Sequence, residues 1–474
     1  MAQAGAIDGA SDMTRVNSSV RNPVSLGAKA RNRAERDREP VRARNFEPGA
    51  VRIMLDATIA SETAANRATA LRNASAAAET APQFGSADRR MRWCFYSPGW
   101  RSLRVLAGDT SMSGGAEAQV AHLAAAMAQR GHEVSLIYGD GEGCAPPTTI
   151  AGVLCLDAAP SWRRPSSAAR LWRALKDVSP TVLYARLPDD FLWLVGLIGR
   201  LRSRTRFIYA LAHDDHCKPW STYRHRPWFH NPLYALGLHS ADAIAIQHEG
   251  QRTRLPHRLR GRTVAVPNLL RSFASRPRPL EGAQIDALWV AQIRPEKRLE
   301  RFLDLAGSCP GLRFSVVGGF DPTLPRATRS DLERKMRSLS NVTFLGPTQA
   351  AEIMALLEDS KVLVNTSEAE GFPNTMLEAW SVGVPVLSLA IDPGHVIETQ
   401  ALGRVSRTTA GLRSDLHLLT KNGILNQEMG KRALDYVRRR HNTTTACDLL
   451  ETAALGRQVS VPVDGTAQLQ DAMP

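Results

Sequence analysis

Two successive runs of short apolar segments alternating with amphipathic helical ones constrain this 474-residue chain more than any other feature. From Met91 the spacing predicts strands at 92–97 or 103–107, then at 133–138, 181–185, 206–212, 243–247 and 263–266. Helices fit between them at 116–130, 167–176, 190–202 and 231–239. Residues 271–283, with Pro277 and Pro279, read as a linker. The alternation then restarts, with strands at 286–291, 313–317, 342–345, 361–365 and 384–389 and helices at 297–307, 330–338, 349–358 and 374–382. Strands joined through helices at this spacing build parallel, doubly wound sheets. The expected fold class is α/β, with two Rossmann-like domains at 91–275 and 276–445 facing across a cleft. Helical patterns at 427–440 and 443–454 close the chain, and 446–474 read as a closing helix and flexible tail.

Residues 1–90 are rich in Ala, Arg, Ser, Asn and Glu and show no sustained apolar period. Such a segment buries too little surface to offset chain entropy and is expected to be a disordered basic leader. Met91 opens the first apolar run, and we expect it to be the native start. The longest uncharged apolar run, 191–199, has nine residues, about half of the roughly 18 a bilayer span needs. No apolar signal core precedes the first domain, so secretion is not expected. Cys94, Cys144, Cys155, Cys217, Cys309 and Cys447 form no close pair and read as reduced thiols of a cytoplasmic protein.

The polar junction at 365–386 carries the chemistry. Val362-Leu363-Val364 runs as a strand into a loop with Glu370, Gly371 and Phe372. Pro373 and Asn374 then open a short helix that carries Glu378. A strand–loop–helix junction aims unpaired backbone N–H groups and a positive helix end at one spot, which suits a phosphate or diphosphate. Two carboxylates flank that spot, and carboxylates accept hydrogen bonds from sugar hydroxyls. An eight-residue helical spacing would put them roughly 12 Å apart, too far for the pair of a glycoside hydrolase. On spacing alone, two solvated glutamates read equally well.

Glu370-Gly-Phe-Pro-Asn-Thr-Met-Leu-Glu378, with Ala379, Gly383 and Pro385-Val386 after it, resembles the paired-glutamate motif of retaining GT-B glycosyltransferases of family 4. The resemblance implies that Glu370 contacts the donor sugar and Glu378 the ribose hydroxyls. Backbone N–H groups around Gly371, Phe372, Pro373 and Asn374 would cradle the diphosphate. Gly114-Gly115-Ala116-Glu117 is similar to the family's glycine turn before its first helix. Trp289–Lys297 resembles its diphosphate-binding segment, with Lys297 matching its lysine. The family usually has Gly-Arg where this chain has Ala291-Gln292, and Arg294 is the nearby candidate to replace that arginine. Phe207–Ala212 is an apolar strand that delivers His213 to its carboxyl end, where open α/β sheets bind ligands. A lone histidine is often structural; similarity to the family's first-domain histidine implies contact with the transferring sugar or the acceptor.

The resemblance covers roughly 91–445, with 91–275 as the acceptor side and 276–445 as the nucleotide-sugar side. It implies sugar transfer with retained anomeric configuration, a nucleoside-diphosphate sugar as co-substrate, and neither metal nor other cofactor. The acceptor would be a lipid-linked, polysaccharide or glycolipid intermediate. The competing reading is a catalytically silent GT-B module that binds nucleotide or membrane. Residues 161–280 carry 21 Lys and Arg against 7 Asp and Glu, a net +14. Lys218, Trp220, Tyr223, Arg224, Arg226, Trp228, Phe229 and Tyr234 interleave aromatics with cations there. This block fits an Arg-rich surface or docking on an anionic membrane, on the inner face of the cell; nucleic acid is the weakest fit.

Overall fold

The structure, a computed structural model, describes residues 90–109, 114–139, 145–202, 205–220 and 229–457. The N-terminal leader, Cys144 and most of the C-terminal tail lie outside the described residues, as do Tyr223, Arg224, Arg226 and Trp228.

The first sheet comprises β1 (Arg92–Tyr96), β2 (Glu133–Tyr138), β3 (Thr148–Ile150), β4 (Val153–Asp157), β5 (Val182–Ala185), β6 (Arg206–Ala210), β7 (Ala243–Ile246) and β8 (Thr263–Ala265). Its order is β3-β4-β2-β1-β5-β6-β7-β8. Only the β3–β4 hairpin is antiparallel among these strands. The second sheet comprises β9 (Ile285–Val290), β10 (Phe314–Val317), β11 (Val342–Gly346), β12 (Ser360–Asn365), β13 (Val386–Ser388) and β14 (Gly403–Val405). It is parallel throughout, in the order β11-β10-β9-β12-β13-β14. Both orders reverse direction beside the first strand, at β1/β5 and at β9/β12. Ligands of doubly wound sheets bind off the carboxyl ends of strands at such switch points.

The two readings left open at the start of the domain resolve to 92–96. Trp93, Cys94, Phe95 and Tyr96 are fully buried and pair with strands on both sides, as a central parallel strand requires. Residues 101–106 are instead a helix, which buries Ser102, Leu103 and Val105. Trp93 and Phe95 pack on one face of the first sheet, Cys94 and Tyr96 on the other. The second sheet divides its core in the same way, with Trp289 and Val316 on one side and Leu288 and Val317 on the other.

Two segments sit differently from the sequence reading. The stretch read as a linker is a strap on the second domain: the N–H of Ala274 donates to Ser381 O at 2.9 Å and that of Arg278 to Val382 O at 3.0 Å. Arg278 is buried, donates to Lys361 O at 2.7 Å, and has its pKa pushed down to about 10 by desolvation. The last described helix, Thr443–Ala454, returns to the first domain. Its Ala446, Cys447, Leu450 and Ala453 join the first-domain core, while Glu451 pairs with Arg130 at 2.8 Å. Among the described residues no helix is long and apolar enough to cross a membrane.

Candidate active site

The loops that follow β9 and β12 place the charged residues at the switch point of the second sheet. Trp289 Nε1 donates to Thr366 Oγ1 at 3.0 Å, and Thr366 Oγ1 donates to Lys297 O at 2.8 Å. The N–H of Glu368 adds a bond to Glu296 O at 2.9 Å. These bonds stitch the two loops together and bring Lys297 against Glu370 as an ion pair between two partly buried side chains.

Arg294, three residues before Lys297, is engaged elsewhere. Its Nε donates to Asp321 Oδ2 at 2.8 Å, and Gln292 Nε2 reaches the same oxygen at 3.2 Å. Hydrogen bonds from Thr323, followed by the charge of Arg294, hold the Asp321 carboxyl below its usual range. Gln292, the departure from the family pattern, therefore helps anchor the carboxylate that orients Arg294.

Glu378 sits one turn into the helix Asn374–Ser381, on the same face as Asn374. The residue is partly buried, and desolvation pushes its carboxyl pKa up to about 7. Among the described residues its carboxyl group has no hydrogen-bond or ion-pair partner. A desolvated, unpaired carboxyl group destabilises the folded state unless a ligand supplies the missing donors. The backbone N–H groups of Gly371, Asn374 and Thr375 likewise lack partners among the described residues, whereas that of Phe372 donates to Gln247 Oε1 at 3.2 Å.

The first domain supplies the opposite wall. Gly115 opens the helix Gly115–Gln129, and its carbonyl accepts from Asn374 Nδ2 at 3.0 Å. A Cβ on Gly115 would lie 2.8 Å from that nitrogen and would push the Asn374 amide aside. Gly114 leaves room for the Glu117 carboxylate folded back against it. Two helix amino-termini thus meet at the Asn374–Gly115 contact. Gly371 makes the second close approach: a Cβ there would sit 2.7 Å from Ala212 O and would also strike Gln247 Oε1. That contact sets the loop carrying Glu370 next to His213. His213 Nδ1 accepts from the N–H of Asp215 at 3.1 Å, which leaves Nε2 to carry the ring proton as a donor. Burial, then the charges of His213 and Arg186, pushes His216 down to about 3, so it stays neutral.

The structure gathers Glu370, Lys297, Glu378 and Gly371–Asn374 from the second domain with Gly115 and His213 from the first. Residues 114–269 match the glycosyl transferase 4-like domain, and residues 284–411 match the glycosyl transferases group 1 domain. The chain belongs to the glycosyltransferases of GT-B fold. Among curated proteins, glycosyltransferase 1 domain-containing protein 1 of Xenopus tropicalis is 25% identical over 153 residues. That match takes in 32% of this chain and spans 43% of the relative's length. Sucrose-phosphate synthase from Thermosynechococcus elongatus superposes with a TM-score of 0.60 at 18% identity, over 77% of this glycosyltransferase and 97% of that chain. HepE from Anabaena, solved with UDP and glucose, gives 0.59 at 15% identity, over 77% and 100%. At these identities the two structures share the fold with this glycosyltransferase.

Sequence reasoning passed over Gln247, Arg186 and Asp321. Gln247 and Asn268 join the domains through neutral amide hydrogen bonds, with Arg186 bound to Asn268 from behind, and such bonds leave no periodicity or charge pattern in a sequence.

Proposed function

We propose that this protein is a retaining glycosyltransferase of family 4 that moves a sugar from a nucleoside-diphosphate sugar to an acceptor. The observation that carries the reading is the unpaired, desolvated Glu378 carboxyl, one turn into the helix that follows the loop of the Lys297–Glu370 ion pair. A silent structural module would have no use for a carboxyl group held this way. Ribose hydroxyls donate to Glu378. The diphosphate lies against the N–H groups of Gly371, Asn374 and Thr375, with Lys297 nearby and Arg294 at the rim, in place of the arginine that Gln292 replaces. Glu370 accepts from hydroxyls of the transferring sugar, and His213 Nε2–H faces the sugar or the acceptor.

When the bond from the anomeric carbon to the diphosphate breaks, the electron pair leaves with the phosphate oxygen, and the oriented N–H groups and Lys297 stabilise it. The acceptor oxygen forms the new bond on the same face and gives its proton to the departing diphosphate. The protein supplies no nucleophile and no metal in this scheme. Closing the cleft excludes the water that would hydrolyse the donor. HepE is solved with UDP, which puts uridine nucleotides first among donors to test. The product of transfer should keep the anomeric configuration of the donor, as proton NMR of an early time point reads; an inverted product contradicts the mechanism.

The acceptor side has its own surface chemistry. The helices Leu192–Arg202 and His230–Ser240 pack closely through Gly196 and Gly237. They leave Leu201 and Leu236 exposed, 68% and 54%, with Trp162 and Trp220 at 55% and 66%. Arg163, Arg164, Arg200 and Lys218 lie in the same part of the sequence. Amphipathic aromatics with cations suit the headgroup zone of an anionic membrane, and a lipid-linked acceptor would be met there. We expect a peripheral protein of the cytoplasmic membrane face. It should float with liposomes containing anionic lipid at low salt and fail to float with neutral ones; no flotation with either removes the membrane from the account.

A further inference from the structure

The structure assigns to Arg186, Gln247 and Asn268 a positioning role: together they clamp the backbone of Phe372, and through it the loop that carries Glu370, onto the acceptor domain. Phe372 is held by both of its peptide groups. Its N–H donates to Gln247 Oε1 at 3.2 Å, and its carbonyl accepts from Asn268 Nδ2 at 3.1 Å. Asn268 Nδ2 also donates to Asn374 Oδ1 at 2.9 Å, at the first residue of the helix that carries Glu378. One side-chain amide of the acceptor domain therefore touches the segments bearing both glutamates.

The orientation of that amide is set from behind. Asn268 Oδ1 accepts from Arg186 Nη2 at 2.5 Å and from Gln247 Nε2 at 3.0 Å, so its Nδ2 must face the donor loop. Arg186 follows β5, at the switch point of the first sheet, and is only 3% exposed. It forms no ion pair among the described residues; its Nη1 donates to Tyr184 OH at 3.3 Å. A buried guanidinium without a carboxylate is costly and is kept where its fixed fork does something a neutral group cannot. Here it supplies the donor that fixes which way Asn268 points. The backbone of Asn268 is pinned as well, because its carbonyl accepts from His441 Nδ1 at 2.7 Å. Burial pushes His441 down to about 4, so it is neutral and donates through one ring nitrogen.

Because every bond across the cleft in this clamp joins neutral groups, it holds the closed arrangement without competing for the diphosphate, which a charged latch would do. The role rests on the glycosyltransferase reading, since it places Glu370 for transfer. Asn268→Asp separates positioning from folding. Aspartate keeps and strengthens the Arg186 contact but donates to neither Phe372 O nor Asn374. The expected result is transfer turnover lowered about tenfold or more, with the nucleotide dissociation constant within about threefold of the parent and an unchanged melting temperature. Amide exchange over residues 371–374, followed by mass spectrometry, should speed up in the same variant. Gln247→Leu releases Phe372 from the other side and should reproduce both effects if the aspartate variant does not fold. Parent-like exchange at 371–374 in a folded variant overturns the clamp. Exchange is read without any sugar donor, so an inactive parent protein would count against the proposed activity and leave the clamp tested on its own.

Discussion

Replacing Glu378 with glutamine should abolish nucleotide binding and make the unliganded protein more stable above neutral pH. The two effects share one cause. The folded pKa of Glu378 is raised to about 7 by desolvation, well above the ordinary carboxyl range. Between the ordinary value and 7 the folded state therefore holds a proton that the unfolded state has lost. Stability falls as pH rises through that window, and the full penalty is present above it. Glutamine carries no charge to desolvate, so the variant should gain about 1–3 kcal/mol at pH 8 and nothing below pH 4. For a protein of this size each kcal/mol moves the melting temperature by about 1–2 °C. In the proposed site ribose hydroxyls donate to this carboxylate, so parent affinity for nucleotide should weaken as pH drops below 7. Melting curves and titration calorimetry at pH 5 and pH 8 check both halves. Equal melting temperatures at pH 8, or nucleotide binding that survives the substitution, would break the link between burial and function.

Replacing Lys297 with alanine should lower transfer about 10²–10³-fold, the range found when one preorganised donor to a developing charge is removed. Two things are lost in that variant. In the proposed mechanism the diphosphate leaves without the Lys297 cation, and Glu370 loses its ion-pair partner. Binding should discriminate by phosphate count: a nucleoside diphosphate should weaken markedly, while the nucleoside, held by Glu378, should not. Glu370→Gln should give the complementary pattern, with transfer lost and nucleoside diphosphate affinity within about threefold of the parent, since the proposed mechanism gives Glu370 to the sugar. Steady-state rates beside calorimetric affinities for the two variants decide it. A Lys297→Ala enzyme with parent turnover would take the lysine out of the site.

Much of this arrangement was legible in the sequence because it rests on period and on local motifs. The alternation from Met91 and its restart after residue 283 follow from strands buried on both faces and helices buried on one, and both sheets form as that pattern requires. The junction from Val362 to Val386 carries its own local geometry, so the helix Asn374–Ser381 and the placement of Glu370 and Glu378 followed from it. What pattern could not give was long-range partnership. The helix Thr443–Ala454 shows an apolar face, but nothing in that face says it packs on the first domain. The hairpin β3–β4 was passed over because its strands are three and five residues long. Residues 103–107 read as well for strand as for helix, since so short an apolar run fits either period. Arg186 and Asn268 lie 82 residues apart and join neutral oxygen to guanidinium, so only the fold brings them together.

The central claim, that the junction of β9 and β12 is a nucleotide-sugar site, is tested most directly by calorimetric titration of the full-length protein with UDP, GDP and ADP, beside its Glu378→Ala variant. The account predicts that one base class binds the parent with a 1:1 stoichiometry and that the variant shows no heat with the same nucleotide. Saturation at about 100 times Kd should also raise stability by roughly 2.7 kcal/mol. Silence from the parent with all three nucleotides, or equal binding by parent and variant, would contradict it.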